Sequence, residues 1–419
     1  MTACVIGVDV GTSGVRAAAL AADGAVLAQR AVDMAPLGGR KAPQTWRRAL
    51  SACLTQLGEA CDLGAVRSLA VDGTSGTMVA VDDCGAPIGA ALMYDEPCED
   101  QDALRAIEAH APAESAARGR TSGLARVLTM QGRPGVRRVL HQADWIAGLI
   151  AGRFDRSDAN NALKTGYDPV ARRWPDWLER AGADLDKLPI VIEPGESIGP
   201  VGPEGVALGL PAATIVHAGT TDGCASFLAT GAANIGDAVT ALGSTLVIKL
   251  LCNEPIFAPQ YGIYSHRIGE AWLAGGASNT GGAVIERLFG RDRLAELTKA
   301  LKPDQPTGLR YYPLVAPGER FPINDPDLPP RLEPRPEDEA TFFQGVLEGI
   351  AEVEALAYRK LGELGAPALR SIRTVGGGAD NAGWSEIRRR VLNAPFAVAR
   401  SQDACVGVAQ LILRRMRTA

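Results

Sequence analysis

The chain has 419 residues, 46% of them hydrophobic and 22% charged, the balance of a globular protein with enough length for about two domains. Its formal net charge of -5 argues against a nucleic-acid partner, which leaves a basic footprint. With no basic leader ahead of an apolar core, and no run near the roughly 18 apolar residues of a membrane span, a cytoplasmic protein with no membrane partner is expected. The eight cysteines and four histidines show neither C-x-x-C spacing nor clustering, so neither zinc nor disulfides are expected.

The first elements set the theme. Val5, Ile6, Val8 and Val10 form a β-rich run, Val15 to Leu20 another, and the Asp23-Gly24 turn leads on to Val26 and Leu27, which predicts a hairpin. Its first turn carries Asp9, Gly11, Thr12, Ser13 and Gly14. Hydroxyls and Gly-permitted backbone amides there suit phosphate oxygens, and the carboxylate suits a hard divalent cation. A Walker A loop would need Lys where Ser13 stands, and a Rossmann fingerprint would need a helix where Val15 to Leu20 reads as a strand.

Gln44 to Cys61 has helical spacing of apolar residues, and Ser68 to Val71 is a strand ending in Asp72-Gly73-Thr74-Ser75. Polar groups at a strand end are where open α/β sheets place ligands, and Asp72 with its neighbouring hydroxyls suits a polyol or sugar, or else closes an Asx-type turn. Met93-Tyr94-Asp95-Glu96-Pro97 either faces the same pocket or is a solvated loop. Val139, Ala143, Ile146, Ala147 and Ile150 recur at helical spacing and predict a buried helix ending near Gly152. Asp158 to Tyr167 caps a helix or lines the pocket, and Pro189 to Pro203 reads as a linker. Domains are therefore expected at 1–212 and 213–419.

In the second half, Ala213 to Val216 is a strand, and Thr220 or Thr221 caps a helix with Asp222 in its first turn. The helix dipole keeps such a carboxylate ionised, ready to accept a proton. A second hairpin follows, with Gly243, Ser244 and Thr245 at its turn. Two hydroxyl-rich turns, one per half, suggest two grips on one nucleotide across a cleft. Tyr311 to Pro317 predicts a strand, Phe343 to Leu361 a long helix, and Ser371 to Val375 a strand delivering Gly376, Gly377, Gly378 and Asn381. Glycines there let a flat ring approach the backbone, and Asn381 suits an adenine edge or ribose. Asp403 to Arg417 is the last helix.

The order of the Asp9 turn, the Gly219-Thr220-Thr221-Asp222-Gly223 helix start, the Leu242-Gly243-Ser244-Thr245 turn and the Val375-Gly376-Gly377-Gly378-Ala379-Asp380-Asn381 segment resembles the FGGY carbohydrate kinases over nearly the whole chain. The resemblance implies an α/β fold of two actin-like, ribonuclease-H-like domains around a nucleotide and sugar cleft, with ATP and Mg2+ as cofactors. It implies Asp9 at the metal, Asp222 as general base, and Gly11, Thr12, Ser13, Gly243, Ser244, Thr245, Gly376, Gly377, Gly378 and Asn381 around the nucleotide. Ser13, Gly14, Asp72, Gly73, Thr74 and Asp222 are the implied sugar contacts. Relatives carry an Arg after the element matching Tyr94-Asp95-Glu96-Pro97-Cys98, and this chain does not. The compact pentulose kinases are the nearest likeness, with D-ribulose implied first and D-xylulose second, in a monomer or homodimer. An actin-like conformational ATPase is the alternative of a different class.

Overall fold

A computed structural model of the chain describes residues 4–418. The chain divides into two compact units, the first comprising 1–229, 266–269 and 403–419, the second 230–265 and 270–402. The first unit thus runs past the boundary expected at 212, taking the Asp222 helix with it.

In the first unit the strands are β1 Cys4–Val10, β2 Gly14–Ala21, β3 Val26–Asp33, β4 Val66–Gly73, β5 Met78–Val81, β6 Arg138–His141, β7 Arg156–Asp158, β8 Ile190–Ile192, β9 Ser197–Pro200 and β10 Ile215–His217. Six of them form a sheet in the order β3-β2-β1-β4-β10-β9, with β1 parallel to β4 and β4 parallel to β10. Helices α1 Pro43–Gly58, α2 Gln101–His110, α3 Gly123–Gln131, α4 Gln142–Ala151, α5 Ala159–Ala162, α6 Trp177–Arg180, α7 Pro203–Ala207 and α8 Asp222–Ala229 complete the run to residue 229. The expected helix α1 buries Trp46, Leu50, Cys53, Leu54 and Leu57, the face its i, i+3, i+4 pattern sets. The helix expected to start at Val139 begins only at Gln142, because Val139 pairs with Ala80 in a β5–β6 ladder. The stretch expected as a linker, Pro189 to Pro203, instead supplies β8 and β9, and β9 pairs with β10 as a sheet edge, where proline is tolerated.

The second unit holds β11 Asp237–Leu242, β12 Leu246–Cys252, β13 Tyr264–Ile268, β14 Ala271–Ser278, β15 Ser371–Val375 and β16 Phe396–Ala397, in the order β13-β14-β12-β11-β15-β16. Residues 266–269, the end of β13 and the turn after it, cluster with the first unit. Its helices are α9 Gly282–Phe289, α10 Leu294–Lys299, α11 Glu339–Glu363 and α12 Ala382–Leu392. The expected strand at Tyr311 is a single bridge from Tyr312 to Arg331. Each unit repeats one plan, an antiparallel hairpin whose first strand runs parallel to a later strand. The α/β class with two duplicated domains is therefore as expected.

The last helix, α13 Ala404–Thr418, packs on β1, β2, β4 and α8 in the first unit. Glycine makes this approach possible, since a Cβ on Gly7 would lie 1.9 Å from the Cys405 carbonyl oxygen and one on Gly407 1.8 Å from that of Ala225. Each unit has its own core, around Ile6, Trp46, Leu69 and Ile146 in the first and around Ile248, Phe342, Leu347 and Ile372 in the second. Among the described residues no helix is long and apolar enough to cross a membrane.

Candidate active site

The first unit gathers three carboxylates at the ends of adjacent strands. In the β1–β4 ladder Asp9 lies beside Asp72, and Gly73 bridges Thr221, the residue before Asp222. Gly219 permits this approach, because a Cβ there would stand 1.7 Å from the Val71 carbonyl oxygen. Thr221 caps α8, its hydroxyl 3.4 Å from the Cys224 amide, and Asp222 Oδ1 accepts from the Gly223 amide at 2.7 Å. Asp9 and Asp222, expected in different domains, therefore belong to one unit.

Asp9 and Asp72 are 5% and 0% exposed. Burial raises the Asp9 pKa against the pull of Arg16, whose Nη1 donates to Asp9 Oδ2 at 3.1 Å. Asp72 is pushed up further, by burial first and then by the negative charges of Asp9 and Asp222. Arg16 escaped the sequence reading, although it stands directly across the hairpin from Asp9.

The turn between β1 and β2 is closed by the Gly11 amide donating to Gly14 O at 3.0 Å. Thr12 is half-buried and Ser13 exposed, which leaves both side chains accessible from solvent. Gly14 is not a surface group. It is buried, and a Cβ on it would lie 2.6 Å from the Val32 carbonyl oxygen, so it serves the β2–β3 packing instead of touching a sugar. Asp72, Gly73 and Thr74 also lie beneath the surface. The Thr74 hydroxyl donates to Gln142 Oε1 at 2.7 Å while bonding Thr77 Oγ1 at 2.7 Å. The groups left without partners here are both Asp72 oxygens, Ser75 Oγ and Gln142 Nε2. Buried polar atoms in this state call for a ligand or water, and Gln142, unnoticed in the sequence, adds a donor suited to a sugar oxygen.

In the second unit the β11–β12 turn exposes Gly243 and Ser244 beside half-buried Thr245. It borders a cavity of about 670 Å³ walled by Leu242, Ile285, Phe343, Leu347 and Trp384, with Ser244, Glu286, Arg291, Thr298, Lys299, Asp380 and Asn381 as its polar groups. That volume and mixed lining suit a small-molecule cofactor. Gly377 and Gly378 lie in the cavity wall. Gly376 precedes them at φ 86°, and a Cβ there would lie 2.8 Å from Leu242 O, so the β15 end crosses tightly over the β11 end. Asn381 does less than expected toward a base, since its Oδ1 accepts from the Trp384 amide at 2.9 Å and its Nδ2 donates to Thr298 at 3.0 Å. It caps α12 and keeps one amide hydrogen. Trp384, missed by the sequence reading, lies in the same wall with a buried indole N–H that has no partner. An orphaned donor beside glycine-lined space fits a purine acceptor.

The donor sets also fit the implied metal. Among the described residues no three His, Cys, Asp or Glu side chains form a metal cage. Magnesium arriving on a nucleotide needs only one or two protein carboxylates, and Asp9 offers one.

Residues 239–414 match the C-terminal domain of the FGGY family of carbohydrate kinases. The xylulose kinase of Escherichia coli (strain K12) is 24% identical over 418 residues, covering 91% of this chain and 83% of that protein. The gluconokinase of Bacillus subtilis (strain 168) is 23% identical over 267 residues, 55% of this chain and 50% of that one. Among solved structures, the xylulose kinase from Rhodospirillum rubrum shares the fold at TM-score 0.84 and 21% identity, over 99% of this chain and 90% of that chain. Residues 239–414 are therefore an FGGY carbohydrate kinase C-terminal domain, in a chain that shares its fold with the solved xylulose kinase.

Proposed function

We propose that the protein transfers the γ-phosphoryl group of ATP to the terminal primary hydroxyl of a ketopentose. The observation carrying this reading is the place of Asp222, in the first turn of α8 with its charge felt at the buried Asp72 beside Asp9. Asp222 accepts the proton of the attacking hydroxyl as its oxygen bonds to the γ-phosphorus. The bond from that phosphorus to the β–γ bridging oxygen breaks, and ADP leaves with the electron pair. A weak base suffices, because the transition state is loose and the proton leaves late. Magnesium, when bound, neutralises charge on the phosphate oxygens, and Asp9 is the carboxylate that would hold it. Arg16 holds Asp9 in place. The free amides and hydroxyls of Thr12, Ser13, Ser244 and Thr245 suit phosphate oxygens, and the glycine-lined cavity with Trp384 suits adenosine.

The named relatives favour D-xylulose, and the Asp72-Gly73-Thr74-Ser75 loop favours D-ribulose; both belong to the proposal. The test measures ADP release by the purified chain with ATP and magnesium against D-xylulose, D-ribulose, glycerol and gluconate. One of the two ketopentoses is expected to be turned over most efficiently. Asp222→Asn is expected to lower kcat by about a thousandfold with ATP affinity nearly unchanged. ATP hydrolysis of equal rate with and without any sugar would sink the reading.

A further inference from the structure

Glu319 is 2% exposed, and its carboxylate gathers donors from three segments of the second unit. Ser278 Oγ donates at 2.5 Å, the Asn279 amide at 2.7 Å, the Arg320 amide at 2.8 Å, Tyr312 Oη at 2.9 Å and the Phe321 amide at 3.4 Å. Such a carboxylate is held in one position, and it holds its donors in turn. Asn279 is gripped twice more, its Nδ2 donating to Gly318 O at 2.9 Å and its Oδ1 accepting from Arg320 Nε at 2.7 Å.

What Glu319 fixes is the segment from Ser278 to Ala283, and that segment lies on the backbone of the turn Gly243–Thr245. Ser278 Oγ accepts from the Thr280 amide at 3.1 Å, and Thr280 O accepts from the Leu246 amide at 2.8 Å. The Gly282 amide donates to Gly243 O at 2.8 Å, and the Ala283 amide to Ser244 O at 3.0 Å. No larger residue fits between them. A Cβ on Gly282 would lie 2.7 Å from Gly243 O, and one on Gly281, at φ 135°, 2.8 Å from the Thr245 carbonyl carbon. The turn's inward carbonyls are thus anchored, and its exposed amides and hydroxyls are aimed by a carboxylate far along the chain.

We infer that Glu319 is a positioning residue for the phosphate grip of the β11–β12 turn, acting through Ser278 and Asn279. The inference rests on the nucleotide reading given above. It predicts that loss of the Glu319 charge misplaces the phosphate donors and leaves most of the adenosine cavity in place, because only Gly243, Ser244 and Gly282 of its lining belong to the turn and the segment resting on it, while Thr298, Phe343, Leu347, Gly378 and Trp384 come from elsewhere.

The test uses the full chain and compares ATP with adenosine by calorimetry, alongside steady-state kinetics. Glu319→Gln is expected to weaken ATP binding by about tenfold and lower kcat by up to about a hundredfold, with adenosine affinity within about twofold of the parent. Tyr312→Phe removes one donor to Glu319 that belongs neither to the turn nor to the Ser278–Ala283 segment, and is expected to keep the parent ratio of ATP to adenosine affinity. Asn279→Ala gives a second, milder disturbance in the same direction, should Glu319→Gln fold poorly. Equal weakening of adenosine and ATP, or unchanged ATP affinity, in whichever variant folds overturns the inference. A parent protein that binds neither ligand overturns the nucleotide reading as well.

Discussion

Arg388 and Glu354 form an ion pair with both side chains fully buried. The guanidinium meets both carboxylate oxygens, at 2.7 and 2.8 Å, and its Nη1 donates to Thr374 at 2.7 Å, while Thr240 donates to the same carboxylate at 2.5 Å. Arg388→Met strands Glu354 as an uncompensated buried charge and is expected to cost about 3–5 kcal/mol. The double variant Arg388→Met with Glu354→Leu leaves no stranded charge and is expected to recover most of that loss in urea unfolding. A double variant as unstable as the single one would show that packing, not charge, governs the site. Asp72 makes the opposite prediction. Its folded pKa is raised, so the folded chain keeps a proton that the unfolded chain releases, and stability falls as pH climbs from the ordinary carboxylate range through the raised value. Asp72→Asn is therefore expected to match the parent near pH 4 and to gain on it toward pH 7. A variant advantage that is flat with pH would contradict the raised pKa. Burial works to raise Asp237 too, but the amides of Ala233 and Asn234 and the Ser371 hydroxyl win, and it falls to about 2. Its stabilisation is present above the ordinary carboxylate range and is lost only as pH drops toward 2.

Among the elements, α13 depends on close approach. Gly407→Ala drives a Cβ into the Ala225 carbonyl, a backbone atom that cannot swing aside, and overpacking of this kind costs about 1–3 kcal/mol or more. Gly362→Ala, in α11 with nothing near the added Cβ, is expected to stabilise by up to about 1 kcal/mol, since alanine is the better helix former. Thermal melts of the two variants, moving in opposite directions, check the distinction. The same elements show what was legible beforehand. Helices α1, α8 and α11 and the two turn-bearing hairpins declare themselves through period and turn chemistry, which are local. Val139 carries a helical signature without being helical, because a four-residue strand feeding straight into a buried helix continues the apolar spacing of that helix. Pro189 to Pro203 has the composition of a linker because an edge strand tolerates proline. At the candidate site, the strand end that carries Asp9, the helix start at Asp222 and the two hydroxyl-rich turns are legible, since each is a short contiguous motif. Arg16, Gln142, Trp384 and Glu319 act through partners up to 68 residues away, and no local pattern marks them.

At the scale of the whole chain, the sequence does not divide into a first half and a second half. The last residues, 403–419, belong with the first unit, where Cys405, Val406, Val408, Ala409, Leu411, Ile412 and Leu413 of α13 are buried. At about 1.5–3 kcal/mol for each large apolar side chain, their removal withdraws on the order of 10 kcal/mol, comparable to the whole net stability of a domain. It also uncovers the faces of β1 and α8 that carry Asp9 and Asp222. A chain ending at Gln402 is therefore expected to lose amide-exchange protection throughout β1, β4 and α8, while β11, β12 and α11, whose core contains no α13 residue, retain theirs. ATP turnover should vanish with the first unit, and adenosine binding in the second-unit cavity should survive. Protection lost equally across both sheets would mean that the two cores unfold as one cooperative body, and protection kept in β1 would mean that α13 contributes far less than its buried side chains imply.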